Sequence, residues 1–293
     1  MNTHLSWKRI RRATKLYWSL IKSPQTFLLL VTGLAGFMSS RCPWFNFPTL
    51  MAVAGSLFLA ISGSTVLNMW YDRDIDSKMS RTICRAIPSG QVKPADGLLF
   101  GLLLSVLGVG WALVIDVLFG VIILAGLLID VIIYTMWLKR RTAWSIVWGG
   151  LAGAMPVLAG RSFGAGRIEW VGILMGLAVL FWIPTHILTF NIRNLDDYNR
   201  AGLPTFPSLY GIPTTLRIIS ISSILAALSL GSAAVGINLE AGQMRLLAVL
   251  SAGLLFLAGV SMVKPSDRVN FGLFKYASLY MLFAMILMAA VIF

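Results

Sequence analysis

Asn68, Asp72 and Asp76 recur every fourth residue in the stretch Asn68-Met-Trp-Tyr-Asp72-Arg-Asp74-Ile-Asp76. That spacing puts one amide and two carboxylates on a single helical face. Carboxylates crowded this way repel one another unless a cation joins them. An all-oxygen set that keeps open positions suits Mg²⁺ bound to a substrate phosphate. A second acidic window, Asn194-Leu-Asp196-Asp197, lies far along the chain, and the two windows hold five of the 11 acidic residues. Each is followed by basic residues and a Pro/Gly turn: Arg81, Arg85 and Ile87-Pro-Ser-Gly90 in the first case, Arg200 and Leu203-Pro-Thr-Phe-Pro207 in the second. Two such patches meeting across a helical bundle can hold two Mg²⁺ ions, with Arg or Lys neutralising what remains of a diphosphate.

The elements that must position these groups are membrane helices. The chain has 293 residues, 58% hydrophobic and 12% charged, which excludes an ordinary soluble domain. Apolar runs of spanning length are Ser23 to Ser40, Phe47 to Trp70, Ala95 to Ile115, Val117 to Leu138, Ala143 to Phe163, Trp170 to Ile192, Thr214 to Ile237, Met244 to Val263 and Phe271 to Phe293. The expectation is an all-α integral membrane protein of nine transmembrane helices. Residues 1–22 form a basic amphipathic segment on the cytoplasmic surface, and residues 23–293 form one membrane domain. In the first segment Trp7, Ile10, Thr14, Tyr17 and Ile21 recur at helical spacing beside Lys8, Arg9, Arg11, Arg12 and Lys15. An Arg-rich start without acids also fits a mitochondrial transit peptide, but it shows no cleavage pattern.

Lys and Arg are retained on the cytoplasmic side of short loops. With the N-terminus inside, only Arg41, Arg161, Arg167 and Arg245 of the 24 basic residues fall outside. The formal charge of +13 is thus spread over separate loops beside spans, which is topology rather than nucleic-acid binding. Cys42 and Cys84 fall on opposite sides and lack the spacing of a metal site. The four-span interval between the acidic windows hints at duplication of a helical unit.

Each candidate also has a purely structural reading. The first window is then a solvated loop of surface ion pairs, worth little energetically, although Asn68, one turn inside the span, needs a partner there. In the second, Arg193 and Asp197 form an i, i+4 pair of the kind any helix end carries. Asp130 is a functional group or a helix-paired carboxyl. Tyr134, one turn nearer the cytoplasm, steadies a developing cation with its ring or belongs to the interfacial aromatic belt. His186 is a haem ligand or a histidine hydrogen-bonded beside the Pro184 kink.

The stretch from Asn68 to Gly90 resembles the first aspartate motif of the UbiA-type intramembrane prenyltransferases. The segments starting at Tyr134, Gly149 and Asp197 agree in order with the branch of that family that farnesylates haem. The resemblance implies a bundle of nine helices around a lipid-open central cavity, capped by cytoplasmic loops. It makes Asn68, Asp72, Asp76, Asn194 and Asp197 the catalytic metal and diphosphate site, with Mg²⁺ as cofactor. Tyr134 joins the catalytic set. Arg81, Arg85 and Lys139 match the residues that grip the diphosphate, and Arg73, Lys78, Asp130 and His186 complete the substrate-binding set. The donor implied is farnesyl diphosphate and the acceptor haem B, with water added to the product. The setting implied is the lipid bilayer of the cell inner membrane, or the mitochondrial inner membrane, beside other haem or oxidase-assembly proteins. Three places depart from the family pattern: Arg85-Ala86 for Arg-Pro, Trp182-Ile-Pro-Thr-His186 for Trp-Gln-Pro-Pro-His, and Pro204-Thr-Phe-Pro207 for Pro-Met-Leu-Pro. Other enzymes of this chemistry prenylate aromatic, quinone-precursor or glyceryl-phosphate acceptors. A transporter would place its polar groups at the midplane, and a structural subunit has no use for two Asn/Asp-rich windows.

Overall fold

The structure is a computed structural model that describes residues 3–292 except 22, 43 and 44. The described residues hold helices and no strand. In chain order these are α1 (Thr3–Leu20), α2 (Ser23–Ser39), α3 (Phe47–Tyr71), α4 (Arg73–Asp76), α5 (Pro94–Ile115), α6 (Val117–Leu128), α7 (Ser145–Ala165), α8 (Trp170–Arg193), α9 (Leu195–Arg200), α10 (Phe206–Ile237), α11 (Ala241–Val263) and α12 (Asp267–Ala289). A π-helix, Ile129–Leu138, continues α6.

Among the described residues seven of these helices, counting α6 with its π extension, are long and apolar enough to cross a membrane. The end of α1 and α2 form a pair bent by 61°, which makes eight if the pair is one span. Helix α7 has 21 residues but is less apolar, carrying five glycines and Arg161. Those features suit a helix packed within protein, where small residues let backbones approach closely. A Cβ on Gly160 would lie 2.0 Å from the Gly33 carbonyl of α2, so α2 and α7 touch backbone to backbone.

Helix starts are set by local chemistry. Asn46 caps α3 by accepting from the Thr49 amide, Asp116 caps α6 by accepting from Phe119, and Pro48 and Pro94 sit in first turns where no donor is lost. Helix α10 opens with a reciprocal Thr205–Ser208 box and breaks at Gly211, whose φ of 77° precedes Pro213.

Two apolar cores flank a central space. One is built by α7, α8, α10, α11 and α12 around Val179, Leu188 and Tyr280, and the other by α2, α3, α5, α6 and α7 around Phe37, Leu57 and Phe119. Helix α12 packs back on α2. Between them lies a cavity of about 530 Å³, lined from α2, α3, α6 with its π extension, α7, α8 and α12. The end of α1 docks on the loop after α4: Leu20 is buried with Val66, Met69, Ala86, Ile87 and Val92.

Candidate active site

The backbone keeps the first acidic window on one face across a change of element. The Asp72 amide donates to the Asn68 carbonyl at 2.9 Å and the Asp76 amide to the Asp72 carbonyl at 2.8 Å. Asp72, between α3 and α4, therefore holds the helical register although its own ψ is 3°. Asp72 is 5% and Asp76 2% exposed, so neither belongs to a solvated loop.

Burial at that level demands partners. Lys139, just past the π-helix, donates to Asp72 Oδ2, and Arg140 reaches within 3.9 Å of Oδ1. Oδ1 itself is buried and accepts no hydrogen bond among the described residues. Asp76 Oδ2 accepts from Arg85 at 2.7 Å. Asp74 is 56% exposed on its side chain and is forked by Arg140 at 2.7 and 2.8 Å. The hydrogen bond from Arg140 holds the Asp74 carboxyl below its usual range. Burial pushes the Lys139 ammonium down, but the adjacent Asp72 carboxylate outweighs it, so Lys139 stays charged well above its ordinary range.

The second window docks onto the first. Asp197, 6% exposed, accepts from the Ser80 hydroxyl at 2.8 Å and from the Ser80 and Arg81 amides at 3.3 and 3.4 Å, and pairs with Arg200. Burial alone would raise its pKa, but these bonds, led by that of Ser80, together with Arg200, bring it below the usual range. Ile75 and Met79 of the first window pack on Ala201 and Leu203 of the second. The expected Arg193–Asp197 pair is absent among the described residues: the Arg193 guanidinium lies 3.7 Å from the centre of the Phe271 ring.

The remaining candidates divide. Arg81 donates to the Tyr198 hydroxyl at 3.2 Å and stacks over Phe190 and Tyr198, with its Nε buried and unpartnered. Arg73 turns back to the Trp70 carbonyl, and Lys78 is exposed. Asn194 caps α8 and its amide donates to the Phe190 carbonyl at 2.8 Å. Asn68 finds its partners on the π-helix: it donates to Asp130 at 2.8 Å and accepts from Thr135 at 2.8 Å, while Ser64 also donates to Asp130 at 2.5 Å. Asp130 is therefore a helix-paired carboxyl that also lines the cavity.

Tyr134 faces the cavity too, and the Lys139 ammonium lies 5.7 Å from its ring centre. The i to i+5 bond from the Lys139 amide to the Tyr134 carbonyl belongs to the π-helix. His186 lines the opposite wall with Trp182 and Phe274. Sequence reasoning missed Ser80, Arg140, Ser64 and Thr135. Only Arg140 left a signal, in the basic run Lys139-Arg140-Arg141.

Cationic side chains thus surround three buried carboxylates, Asp72, Asp76 and Asp197, and join, through Lys139 and Tyr134, to a mostly apolar cavity. No group of three or more His, Cys, Asp or Glu among the described residues is close enough to cage a metal. A site of one or two carboxylates plus substrate phosphate is how Mg²⁺ is usually held, and the unpartnered Asp72 Oδ1 fits such an ion.

A model of the UbiA prenyltransferase family matches residues 29–282. The chain belongs to the UbiA prenyltransferase family. Among curated relatives, it is 40% identical over 206 residues to the protoheme IX farnesyltransferase of Korarchaeum cryptofilum, covering 70% of this chain and 69% of that protein. It is 37% identical over 251 residues to the protoheme IX farnesyltransferase of Archaeoglobus fulgidus, covering 85% and 87%. The structure of a UbiA homolog from Archaeoglobus fulgidus bound to GPP and Mg²⁺ superimposes with a TM-score of 0.73 over 94% of this chain and 99% of that one, at 16% identity. At that identity the likeness is one of fold. It makes this helical bundle a UbiA fold, and with the apolar helices it makes the chain a multi-pass membrane protein.

Proposed function

We propose that this UbiA prenyltransferase joins the farnesyl group of farnesyl diphosphate to a vinyl group of haem B, with addition of water. The observation that carries the reading is the linked constellation of Asp72, Lys139 and Tyr134: a charged end for a diphosphate runs directly into an apolar cavity for a prenyl chain. The acceptor follows the protoheme IX farnesyltransferases to which most of the chain is similar.

Lys139, Arg85, Arg81 and Arg140 present positive charge to the diphosphate. This favours the transition state in which the C1–O bond breaks and its electron pair leaves with the diphosphate. Asp72 and Asp76 with Asn68 in the first window, and Asp197 with Asn194 in the second, are the residues that would hold Mg²⁺, one or two carboxylates to an ion alongside the diphosphate, and the ion when bound would supply further neutralisation of the leaving group. The allylic cation forms beside the Tyr134 ring, whose face attracts positive charge. The vinyl π electrons form the new bond to C1, and the porphyrin-side cation takes water, which loses a proton to solvent. The apolar cavity keeps bulk water from the allylic cation before the acceptor arrives.

Membranes carrying the protein should convert haem B, with Mg²⁺ and labelled farnesyl diphosphate, to a product heavier by one farnesyl group and one water. Untouched haem beside a prenylated aromatic acceptor would overturn the acceptor and leave the diphosphate site standing. We also place nine spans in the membrane with the N-terminus and the acidic windows in the cytoplasm, as the basic residues suggest. With the native thiols removed by Cys42→Ser and Cys84→Ser, a cysteine introduced in the loop of residues 73–93 should react only from the cytoplasm and one near Gly164 only from outside. Labelling of both from one side refutes that orientation.

A further inference from the structure

The cavity has two unlike walls. Asp130 and Tyr134 make one polar, while the other, from α8 and α12, is a ladder of aromatic rings. Trp182 lies 5.0 Å from His186, His186 lies 4.5 Å from Phe274, and Phe274 lies 6.0 Å from Phe271, each pair within 23° of parallel. Trp182 is fixed by its indole N–H, which donates to the Ala277 carbonyl at 2.7 Å. His186 is clamped on both faces, so only its edge is free to meet a ligand.

That edge has a defined chemistry. Ser278 Oγ lies 3.1 Å from His186 Nδ1 and also donates to the Phe274 carbonyl at 3.1 Å. A hydroxyl has one hydrogen, and when that hydrogen lies on the helix carbonyl the oxygen accepts from Nδ1–H. In that tautomer Nε2 carries a bare lone pair, the form a metal ion takes. Nε2 has no hydrogen-bond partner among the described residues, and the residue lines the cavity. A ring nitrogen whose opposite N–H is held by an oxygen is the arrangement of a metal-ligating histidine. A histidine merely satisfied beside the Pro184 kink would spend both nitrogens on protein.

At the outer end of the ladder stand two cations. Arg193 and Lys275 lie 3.7 and 4.5 Å from the centre of the Phe271 ring. Arg193 is two helical turns from His186 on α8, about 10 Å along the axis. That reach is comparable to the distance from the centre of a porphyrin to the carboxylates on its edge.

We propose that the α8–α12 wall binds the haem acceptor, with His186 Nε2 ligating the porphyrin iron and Arg193 and Lys275 pairing with its carboxylates. The proposal rests on haem being the acceptor and adds where and by which atoms it is held. The bond formed is a coordinate one from the Nε2 lone pair, and no proton or electron moves. His186 acts by positioning the acceptor: once the iron is fixed, the vinyl-bearing edge is held against the cation generated beside Tyr134.

Titration of the purified full-length protein with ferric haem B, followed by absorbance, tests this. Wild type should give the spectrum of an imidazole-ligated haem. His186→Ala should lose that spectrum and bind about tenfold or more weakly, as loss of a group that supports a metal does, and added imidazole should restore the spectrum. Iron-free protoporphyrin IX should bind both proteins equally, which separates lost ligation from a misfolded wall. Replacing Arg193 and Lys275 together by Ala should weaken haem B but not its dimethyl ester, with the spectrum unchanged. An unaltered spectrum and affinity in His186→Ala would overturn the iron ligand even if wild type still farnesylates haem B. A wild type that neither binds nor converts haem B would overturn the acceptor reading and this proposal together.

Discussion

Two ion-pair clusters occupy different parts of the bundle, and they are built in opposite ways. One is Arg161 of α7, which donates to Glu169 at 2.5 Å and to Ser39 of α2 at 3.1 Å. It is a closed unit: one cation, one carboxylate, close in sequence, with every buried atom of the pair satisfied. The other gathers Asp72, Asp74, Asp76 and Asp197 with Lys139, Arg140, Arg85, Arg81 and Arg200 from four separate stretches of chain. It leaves Asp72 Oδ1, Arg81 Nε and Arg140 Nε buried without hydrogen-bond partners. Buried unpartnered polar groups cost free energy that a purely structural cluster would shed. The closed cluster ties α2, α7 and the start of α8 together, and the open one is arranged for something that arrives.

The largest effect expected is at Asp72 and Asp76. Replacing either by Ala should lower turnover about 100- to 1000-fold or more, measured on protein that still inserts and purifies folded, although Lys139 or Arg85 then loses its buried partner and the unfolding temperature falls. Near-normal activity in both would erase the distinction between the clusters. Removing Mg²⁺ with a chelator should stop the reaction to a similar degree without altering helicity measured by circular dichroism. Retained turnover would exclude the metal from the charged end.

Lys139→Met comes next. It strips the partner from Asp72 and a cation from the diphosphate, so kcat/KM for farnesyl diphosphate should fall about 10- to 100-fold, a loss of about 1.4 to 2.8 kcal/mol in transition-state stabilisation. Arg161→Met should behave in the reverse way. It leaves Glu169 without its cation and should cost about 3 kcal/mol of stability, read as a lower unfolding temperature, with kcat/KM of the surviving folded protein unchanged. A selective loss of activity there would show that the closed cluster also serves the reaction. The smallest effect is expected at Asp74→Asn, since its pair with Arg140 is exposed and worth at most about 1 kcal/mol. Activity should change less than about threefold, and a larger loss would move Asp74 into the working set.

Much of this was legible in the chain. Apolar runs locate the helices because lipid forces every backbone group to pair within its own segment. Asn68, Asp72 and Asp76 share a face because the i to i+4 bonds run unbroken from α3 into α4. The π-helix over Ile129–Leu138 was not legible, because its residues are as apolar and periodic as those of an α-helix. Its i to i+5 bonds instead coincide with the tertiary network through Asp130, Thr135 and Asn68. Arg193 was misplaced for a related reason: helical spacing offers Asp197 as its partner, but a ring of α12 lies closer to its guanidinium.

The sequence by itself determined that this is a helical membrane protein with most of its charge outside the apolar runs, since hydropathy and residue spacing are local properties that folding cannot change. Tertiary structure alone decided which charges meet. Asp197 lies across the chain from Ser80, Lys139 from Asp72, and Ser278 from His186, and no propensity encodes those pairs. They arise because helix packing brings the segments together and buried polar groups then take the partners within reach. The same packing placed the Ser278 hydroxyl 3.1 Å from His186 Nδ1, a contact made by a helix nearly a hundred residues away.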